Sequence, residues 1–335
     1  MLITRVDPAD HETLRGCHRV SVAARAVDDP DGPPEPYGTF ATWLTTGWGE
    51  TPGEAWAARD EAGGEVTGYY RISLPDKENL DTAFVFLTVH PARRWQGAGS
   101  ELLRHTAARA AADGRTVLRG FPFVGTAGAA FAARAGAQAG LVSVRRAQHL
   151  RRLPDGLIAR QRDLAASAAT GYTLVTWVGG TPAENWEGVA AVLNAFADAP
   201  ADAGFEHEFW DVGRVRDQFD LITRFDVVRR YSVAAVHAQT GEMAGLTQVY
   251  VTPEAPAWAQ QGLTAVSRAH RGHRIGLLVK AAMLDWLASA EPDVEHVITD
   301  NADSNQYMIA INELLGYQIL SPPFQWHQMP TSEVR

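Results

Sequence analysis

The chain has 335 residues, of which 46% are hydrophobic and 21% charged, and its formal net charge is −9 at pH 7. The length exceeds the usual ceiling of about 300 residues for one core and predicts two domains, while the composition excludes a disordered chain. The acidic balance argues against nucleic acid as the main partner, and a single cysteine, Cys17, excludes an internal disulfide and any multi-cysteine metal site.

The N-terminus reads MLITRVDPAD and has an acidic residue by position 7 without an apolar segment before it, which argues against a signal peptide. Nowhere do about 18 apolar residues follow one another, as a membrane span would require. We therefore expect a soluble, cytoplasmic protein with no membrane partner. We also expect no metal.

The strongest strand of the first half is TAFVFLTVH (82–90), a nearly continuous apolar run of the kind found in a strand covered on both faces. The stretch VHPARRWQGAG (89–99) follows it, and a helical pattern that ends at Gly114 follows that stretch. A turn between a strand and a helix presents unpaired backbone N–H groups at the positive end of the helix dipole. This arrangement predicts an anion site, with Gly97 and Gly99 leaving room for phosphate and Arg94 adding charge-assisted bonds.

A short strand pattern, RTVLRG (115–120), and a helix that ends at Gly136 complete this half. The stretch 151–171 lacks a strand pattern and predicts a short helix after Pro154. We expect an N-terminal domain at 1–154, a linker helix at 155–170 and a C-terminal domain at 171–335.

The second half repeats the first in the same order. TPAENWEGVAAVLN (181–194) resembles DPADHETLRGCHRV (7–20), VSRAHRGHRIG (266–276) resembles the first loop, and Gly316 ends a helix as Gly136 does. The second loop departs from the first at two positions, because Arg268 replaces the proline and Arg274 replaces the first glycine.

The first loop matches V-x-P-x-x-[RQ]-x-x-G-x-[GA] at Val89, Pro91, Arg94, Gly97 and Gly99. This pattern resembles the acyl-CoA pyrophosphate loop of the GNAT superfamily of acyltransferases. The family's N-x(10)-G-[FY] helix pattern is reproduced in the second half by Asn305, Gly316 and Tyr317. In the first half the corresponding positions are Gly125 and Ala137, so that the pattern is lost there.

The resemblance covers almost the whole chain and implies an α+β protein of two consecutive GNAT-like domains. Each domain would be a twisted, mixed, mostly antiparallel sheet flanked by helices. It further implies that acetyl-CoA or another acyl-CoA is the cosubstrate. The implied acyl-CoA-binding residues are Leu87, Val89, Arg94, Trp95, Gln96, Gly97, Ala98, Gly99, Ser100, Val266, Arg271, Gly272, Arg274, Gly276 and Asn305.

The resemblance also indicates where a general base and a general acid should lie. The base position, six residues before the loop valine, holds Ala83 in the first half and Gln260 in the second. The acid position, four residues before the helix-ending glycine, holds Ala132 and Asn312. None of these side chains can serve as the usual base or acid, although a chain of water molecules can replace the base.

Other side chains are candidates for the missing groups. Asp81 and His90 flank the first strand, and Glu254, Tyr307 and Tyr317 are available to the second half. The catalytic candidates as a set are Asn305, Tyr317, Gln260 and Asn312.

Two functions are compatible with these observations, and a third, structural hypothesis makes the first domain a scaffold that supports an active second domain. The leading hypothesis is an acyltransferase that moves an acetyl group from acetyl-CoA to a small-molecule amine or hydroxyl. The alternative is a non-catalytic tandem GNAT protein that binds or senses acyl-CoA, because the base and acid positions are empty in both halves. The expected partners are acyl-CoA and a small-molecule acceptor, and the protein is expected to be a monomer or a homodimer.

Overall fold

A computed structural model describes residues 1–47, 53–196 and 204–334. The described residues form two compact units. The first unit comprises 1–144, 201–206 and 321–335, and the second comprises 145–200 and 207–320. The protein is therefore α+β with two domains, as the repeat predicts.

The first unit contains a mixed sheet with helices packed on it. Its elements are β1 (Leu2–Arg5), α1 (His11–Asp28), α2 (Tyr37–Thr46), β2 (Gly53–Arg59), β3 (Val66–Ser73), β4 (Thr82–Val89), α3 (Ala98–Ala112), β5 (Val117–Gly120), α4 (Ala127–Arg134), the start of β6 (Gln138–His149) and β13 (Phe324–Pro330).

The strand order in the first unit is β1-β2-β3-β4-β5-β13-β6. Only the β4–β5 pair is parallel, and the other neighbours are antiparallel. The C-terminal strand β13 lies between β5 and β6, and it pairs with both of them. The end of the chain thus completes the sheet of the N-terminal unit.

The second unit has the same plan. Its elements are the end of β6, α5 (Leu157–Ala168), β7 (Tyr172–Val178), α6 (Trp186–Ala195), the short α7 (Val212–Arg214), β8 (Arg229–His237), β9 (Met243–Val251), β10 (Trp258–Val266), α8 (Ile275–Ala290), β11 (His296–Ala302), α9 (Gln306–Leu314) and β12 (Gln318–Ile319).

In this unit the strand order is β7-β8-β9-β10-β11, followed by the end of β6, on which β12 pairs. The β10–β11 pair is parallel, and β7 to β10 pair antiparallel. Helix α8 is buried along most of its length against this sheet, with Val279, Met283 and Leu287 fully enclosed.

The boundaries of the two compact units differ from the domain ranges expected from the sequence. Residues 145–154 group with the second unit, and residues 321–335 group with the first. The stretch expected to be a linker helix contains α5, whose Ala165 is buried in the second unit's core. Among the described helices, none is long and apolar enough to cross a bilayer.

Candidate functional site

Each unit contains a fork between its two parallel strands. In the first unit β4 pairs with β5 at three positions, the last being Phe84 opposite Arg119. In the second unit β10 pairs with β11 at three positions, the last being Gln260 opposite Ile298. Beyond these pairs β4 and β10 stay paired with β3 and β9 but lose their parallel neighbours, so that the sheet of each unit is open on this side of the strand.

The strand beside the second fork contains a β-bulge. Gln261 lies opposite Val249 and Thr264 opposite Thr247, so that two residues of β10, Gly262 and Leu263, stand against one residue of β9. A bulge leaves a backbone group of the sheet unpaired. In the first unit, β4 pairs with β3 without a register shift from Phe84 to Val89. The second fork therefore has a free backbone position on β10 that the first lacks on β4.

The loop after β4 has the geometry of an anion-binding nest. Trp95 and Gly97 both adopt positive φ, at 64° and 92°, and flank Gln96. Gly97 is the N-cap of α3. Alternation of right- and left-handed backbone turns successive N–H groups toward one point, which lies at the N-terminus of the helix.

The loop after β10 repeats this backbone with a different sequence. Gly272 and Arg274 adopt positive φ, at 89° and 55°, and Arg274 is the N-cap of α8. The residue in the second left-handed position is thus glycine in one loop and arginine in the other. The substitution in the second loop leaves the nest intact, although it places a side chain in a conformation that costs a non-glycine residue about 1–2 kcal/mol.

Changing Arg274 to glycine keeps the backbone of this nest but removes the guanidinium charge. We expect Arg274→Gly to raise the unfolding free energy of the second unit by about 1 kcal/mol, because the left-handed conformation no longer opposes a side chain. We expect acyl-CoA to bind this unit roughly 3- to 10-fold more weakly, because one cation near the phosphates is lost. Urea denaturation and calorimetric titration measure the two effects.

Trp95→Gly is the matched control, because it relieves the same conformation in the first loop without removing a charge. Unchanged acyl-CoA affinity in Arg274→Gly would mean that the guanidinium points away from the phosphates.

The sequence suggested that Arg94 adds charge-assisted bonds to phosphate, but in the structure its side chain is bonded to other residues of the protein. Its two terminal nitrogens donate to the two carboxylate oxygens of Asp28 at 2.9 and 2.6 Å, and its Nε donates to the carbonyl of Val89 at 3.2 Å. Arg271 repeats the latter bond to Val266 at 3.3 Å. In this structure Arg94 therefore fixes the loop to the end of α1.

The second glycine of each loop lies next to the following helix of its unit. A Cβ on Gly99 would lie 3.4 Å from the ring of Phe131 on α4, and one on Gly276 would lie 3.2 Å from Cδ1 of Ile311 on α9. By contrast, a Cβ on Gly97 or Gly272 would meet no atom within 4 Å. Gly276 thus permits a close approach of α8 and α9, whereas phosphate access at Gly99 stays a prediction.

The remaining residues expected to bind acyl-CoA lie on the same elements. Leu87 and Val89 are on β4 and Val266 is on β10, while Ala98 and Ser100 are in the first turn of α3. The indole of Trp95 is 67% exposed, and the guanidinium of Arg134 lies 4.9 Å from its centre. Each loop thus stands at the end of a fork strand.

The structure offers no side-chain base or acid at the positions that the family pattern indicates. Ala83 is buried, and Gln260 donates from Nε2 to the carbonyl of Gln261 at 3.2 Å. Asn312 is fully buried and donates from Nδ2 to Oδ1 of Asn301 at 2.7 Å. The bulge also shifts the equivalence between the two strands. In the pairing with the parallel strand, Gln260 of β10 corresponds to Phe84 of β4, whereas counting six residues back from the loop valine gives Ala83.

The other candidates have diverse surroundings. Asn305 caps α9, where its Oδ1 accepts from the backbone of Met308 at 3.2 Å. Tyr307 is 90% exposed, whereas Tyr317 is 4% exposed and its hydroxyl has no hydrogen-bond partner among the described residues. Asp81 and Glu254 are exposed at the surface. His90 accepts from the backbone of Ala92 at 3.3 Å.

A buried polar cluster lies at the second fork, and the sequence analysis did not identify it. The amine of Lys280 on α8, 1% exposed, donates to Oε1 of Gln261 at 3.2 Å and lies 5.0 Å from the ring centre of Tyr317. Gln261 in turn donates from Nε2 to the carbonyl of Gln248 at 2.6 Å and to Oγ1 of Thr247 at 3.0 Å. Gln248 is the residue that faces the bulge, so Gln261 bonds a carbonyl at the irregular part of the ladder.

Burial affects the ionisation of two members of this cluster. It lowers the pKa of the Lys280 amine from 10.5 to about 7, because the charged form loses its hydration. Burial raises the pKa of the Tyr317 phenol for the same reason. The sequence signal that could have revealed the cluster is a lysine within the otherwise apolar stretch of α8.

The faces of the two forks that point away from α3 and α8 differ in chemistry. In the first unit an aromatic face is formed by Trp43, Phe84, Phe86, Phe121 and Trp326, with neighbouring ring centres 4.8 to 6.1 Å apart. In the second unit Gln260 takes the place of Phe84, and Asp300, two residues after Ile298, takes the place of Phe121, two residues after Arg119. Asp300 accepts from Nε of Arg145 at 3.0 Å. The second fork thus presents polar groups where the first presents rings.

The described parts of the chain (1–47, 53–196 and 204–334) contain no cluster of three acidic, histidine or cysteine side chains that could bind a metal ion. The groups present suit a different ligand. Two backbone nests suit phosphates, and two open forks suit an extended chain that lies between strands.

Comparison with known proteins agrees with this geometry. Residues 16–135 match the family model described as the acetyltransferase (GNAT) family. This range includes the first fork and the first loop. Among curated proteins, none matches the chain significantly in sequence.

Solved structures match over both units. A tandem GNAT protein from the clavulanic acid biosynthesis pathway is similar with a TM-score of 0.78 and 29% sequence identity, and the match covers 98% of each chain. A GCN5-related N-acetyltransferase from Sphaerobacter thermophilus has a TM-score of 0.68 and 17% identity, over 98% of this chain and 95% of that one. The second likeness shows the fold alone.

Proposed function

We infer, from the premise that this chain is a tandem GNAT protein, that it transfers an acetyl group from acetyl-CoA to a small-molecule amine or hydroxyl. Acyl transfer from an acyl-CoA is the general activity of the family to which the first unit's match points. The observation that carries the finer proposal is the bulge of β10 beside the second fork. We place the reaction in the second unit for this reason.

The bulge supplies what the reaction requires of the backbone. When a nucleophile attacks a thioester, negative charge develops on the carbonyl oxygen, and a fixed N–H donor in a dry site stabilises that charge. The residues of the bulge, Gly262 and Leu263, stand against one residue of β9, so that β10 has a backbone group outside the ladder at the fork. The regular ladder of β4 offers the first unit no equivalent.

The nests and the polar face support the remaining roles in the second unit. Gly272 and Arg274 shape the backbone that would hold the pyrophosphate, with the N-terminus of α8 behind it. Gln260 and Asp300 lie where a polar acceptor would approach. Because Gln260 has no basic group and the carboxylate of Asp300 is paired with Arg145, water would remove the proton from the attacking amine.

A second candidate function is supported for the first unit alone. Its nest has the same backbone, yet its β4 ladder is regular and its fork faces aromatic rings. These features favour binding of acyl-CoA without transfer. A protein in which both units behaved this way would be an acyl-CoA sensor.

Two matched variants test the placement of the reaction. Gly97→Glu and Gly272→Glu both put a carboxylate into a nest at an open, left-handed position. We expect each to remove one bound acetyl-CoA in native mass spectrometry. We expect turnover with a panel of small amines and alcohols to fall at least about 100-fold only in Gly272→Glu, because only that variant empties the catalytic unit.

The opposite pattern, loss of turnover only in Gly97→Glu, would move the reaction to the first unit. Bound acetyl-CoA without turnover on any acceptor would favour the sensor. Gly276→Glu is a poorer test than Gly272→Glu, because its side chain would collide with Ile311 and disturb α9.

A further inference from the structure

Lys280 lies at a place where the fold has no need for a polar side chain. It is the sixth residue of α8, as Leu103 is the sixth residue of α3. Gln261 follows the last residue of β10 that pairs with the parallel strand β11, as Val85 follows the last residue of β4 that pairs with β5. Tyr317 follows the glycine that ends α9, as Ala137 follows the glycine that ends α4.

The first unit fills the three equivalent positions with apolar side chains. Val85, Leu103 and Ala137 pack together against one hydrophobic core. The same architecture is therefore stable without an amine, an amide or a phenol at these positions. Burying such groups costs free energy, so their presence in the second unit indicates a role other than stability.

The cluster occurs in the unit that has the bulge, and it is bonded to the bulged strand. Lys280 donates to Gln261, and Gln261 donates to the carbonyl of Gln248 opposite the bulge. Successive residues of a strand face opposite sides, so Gln261 and Lys280 lie on the α8 side of the fork, whereas Gln260 lies on the other side. The α8 side is also the side of the second nest, since α8 begins at that nest.

The reaction requires a proton for the departing sulfur. When the tetrahedral adduct collapses, the carbon–sulfur bond breaks and its electron pair stays on sulfur as a thiolate. The family's acid position holds Asn312, which has no proton to give as an acid. A protonated amine on the α8 side of the fork, where Lys280 lies, can donate the proton instead.

We propose that Lys280 is the general acid of the second unit, which donates a proton from its ammonium group to the sulfur of the departing CoA. This role rests on the proposed acyl transfer in that unit. The step leaves CoA as the thiol and Lys280 as the neutral amine. Lys280 regains a proton from water, into which the acceptor nitrogen has released its own.

The surroundings of Lys280 leave its titration simple. Tyr317 is the titratable group in contact with Lys280. Burial alone lowers the pKa of the Lys280 amine to about 7. The charged groups on neighbouring elements are paired elsewhere: Arg162 of α5 with Asp285 of α8, and Arg229 of β8 with Glu291. An acid with a pKa near 7 matches the pH at which the reaction is expected to run.

Hydroxylamine as the acceptor tests this role, because it is already neutral near pH 7 and its ionisation does not shape the profile above that pH. Acetohydroxamate and free CoA thiol are measured from pH 6 to 9 at saturating acetyl-CoA. For the wild type we expect the rate to fall above pH 7 as Lys280 loses its proton. For Lys280→Met we expect a rate about 100-fold lower at pH 6.5, without that fall.

Lys280→Leu, which copies the first unit, is the second variant, and Leu103→Met is the matched control that should leave rate and profile unchanged. A uniform loss of rate in Lys280→Met, with the wild-type fall above pH 7 retained, would mean a merely structural role and overturn the proposal. A wild type that holds acetyl-CoA but makes no acetohydroxamate would instead contradict acyl transfer itself, and the role of Lys280 with it.

Discussion

Gly97→Glu is expected to abolish acyl-CoA binding to the first unit, with a loss of affinity of at least about 100-fold. The glutamate would stand at the N-cap of α3 with φ of 92° and no atom within 4 Å of its Cβ. Its carboxylate would occupy the positive end of the helix and repel the phosphates, where the wild-type backbone attracts them. Native mass spectrometry with acetyl-CoA measures the loss directly.

Gly97→Asn is the control, because asparagine tolerates the left-handed conformation and carries no charge. It should retain most of the binding. If Gly97→Glu keeps both acetyl-CoA equivalents, the first nest is not a phosphate site. Circular dichroism should show that the variant remains folded, since the position is open and exposed.

Lys280→Met is expected to stabilise the second unit by about 3 kcal/mol at pH 6.5. The pKa of the amine falls from 10.5 in the unfolded chain to about 7 in the folded one. Below pH 7 that shift destabilises the folded wild type by about 5 kcal/mol, which the variant recovers. The variant loses about 2 kcal/mol of this gain, because Oε1 of Gln261 no longer has a hydrogen-bond donor. Urea denaturation at several pH values measures the gain.

The pH dependence gives this prediction its sign. Between pH 7 and 10.5 the unfolded chain holds a proton on this lysine that the folded chain has released, so the wild type becomes more stable as the pH rises. The advantage of Lys280→Met is therefore largest below pH 7, vanishes near about pH 9 and reverses toward pH 10.5, where only the cost of about 2 kcal/mol for the lost hydrogen bond remains. Leu103→Met should change stability by less than about 1.5 kcal/mol at any pH. A gain that did not depend on pH would show that the amine titrates normally.

Much of the fold could be predicted from the sequence because local signals and the repeat agree. Strand, turn and helix patterns recur in order in the two halves, and the left-handed glycines Gly114, Gly136 and Gly316 end helices as expected. The two nests could also be located, since loop sequence largely determines loop backbone. The equivalence of the loops holds even at Arg274, where the residue type alone would argue against the conformation.

The features that were missed depend on register or on distant partners. A bulge adds one residue to β10 and leaves no mark in its composition, so counting back from Val266 pairs Gln260 with Ala83 instead of Phe84. The partner of Arg94 is Asp28, 66 residues away on another element. The Lys280 cluster joins residues of β9, β10 and α8 with the residue before β12, and no single window of sequence contains them all.

The position of β13 bears on how the protein is synthesised. The strand formed by Phe324–Pro330 fills the place between β5 and β6, so the first sheet has a gap until this strand leaves the ribosome. Contacts between Val117 and Pro330 span most of the chain and make folding of the first unit slow for topological reasons. Until β13 is made, the edges of β5 and β6 that it pairs with stay unpaired, and unpaired strand edges are sites of association with other chains.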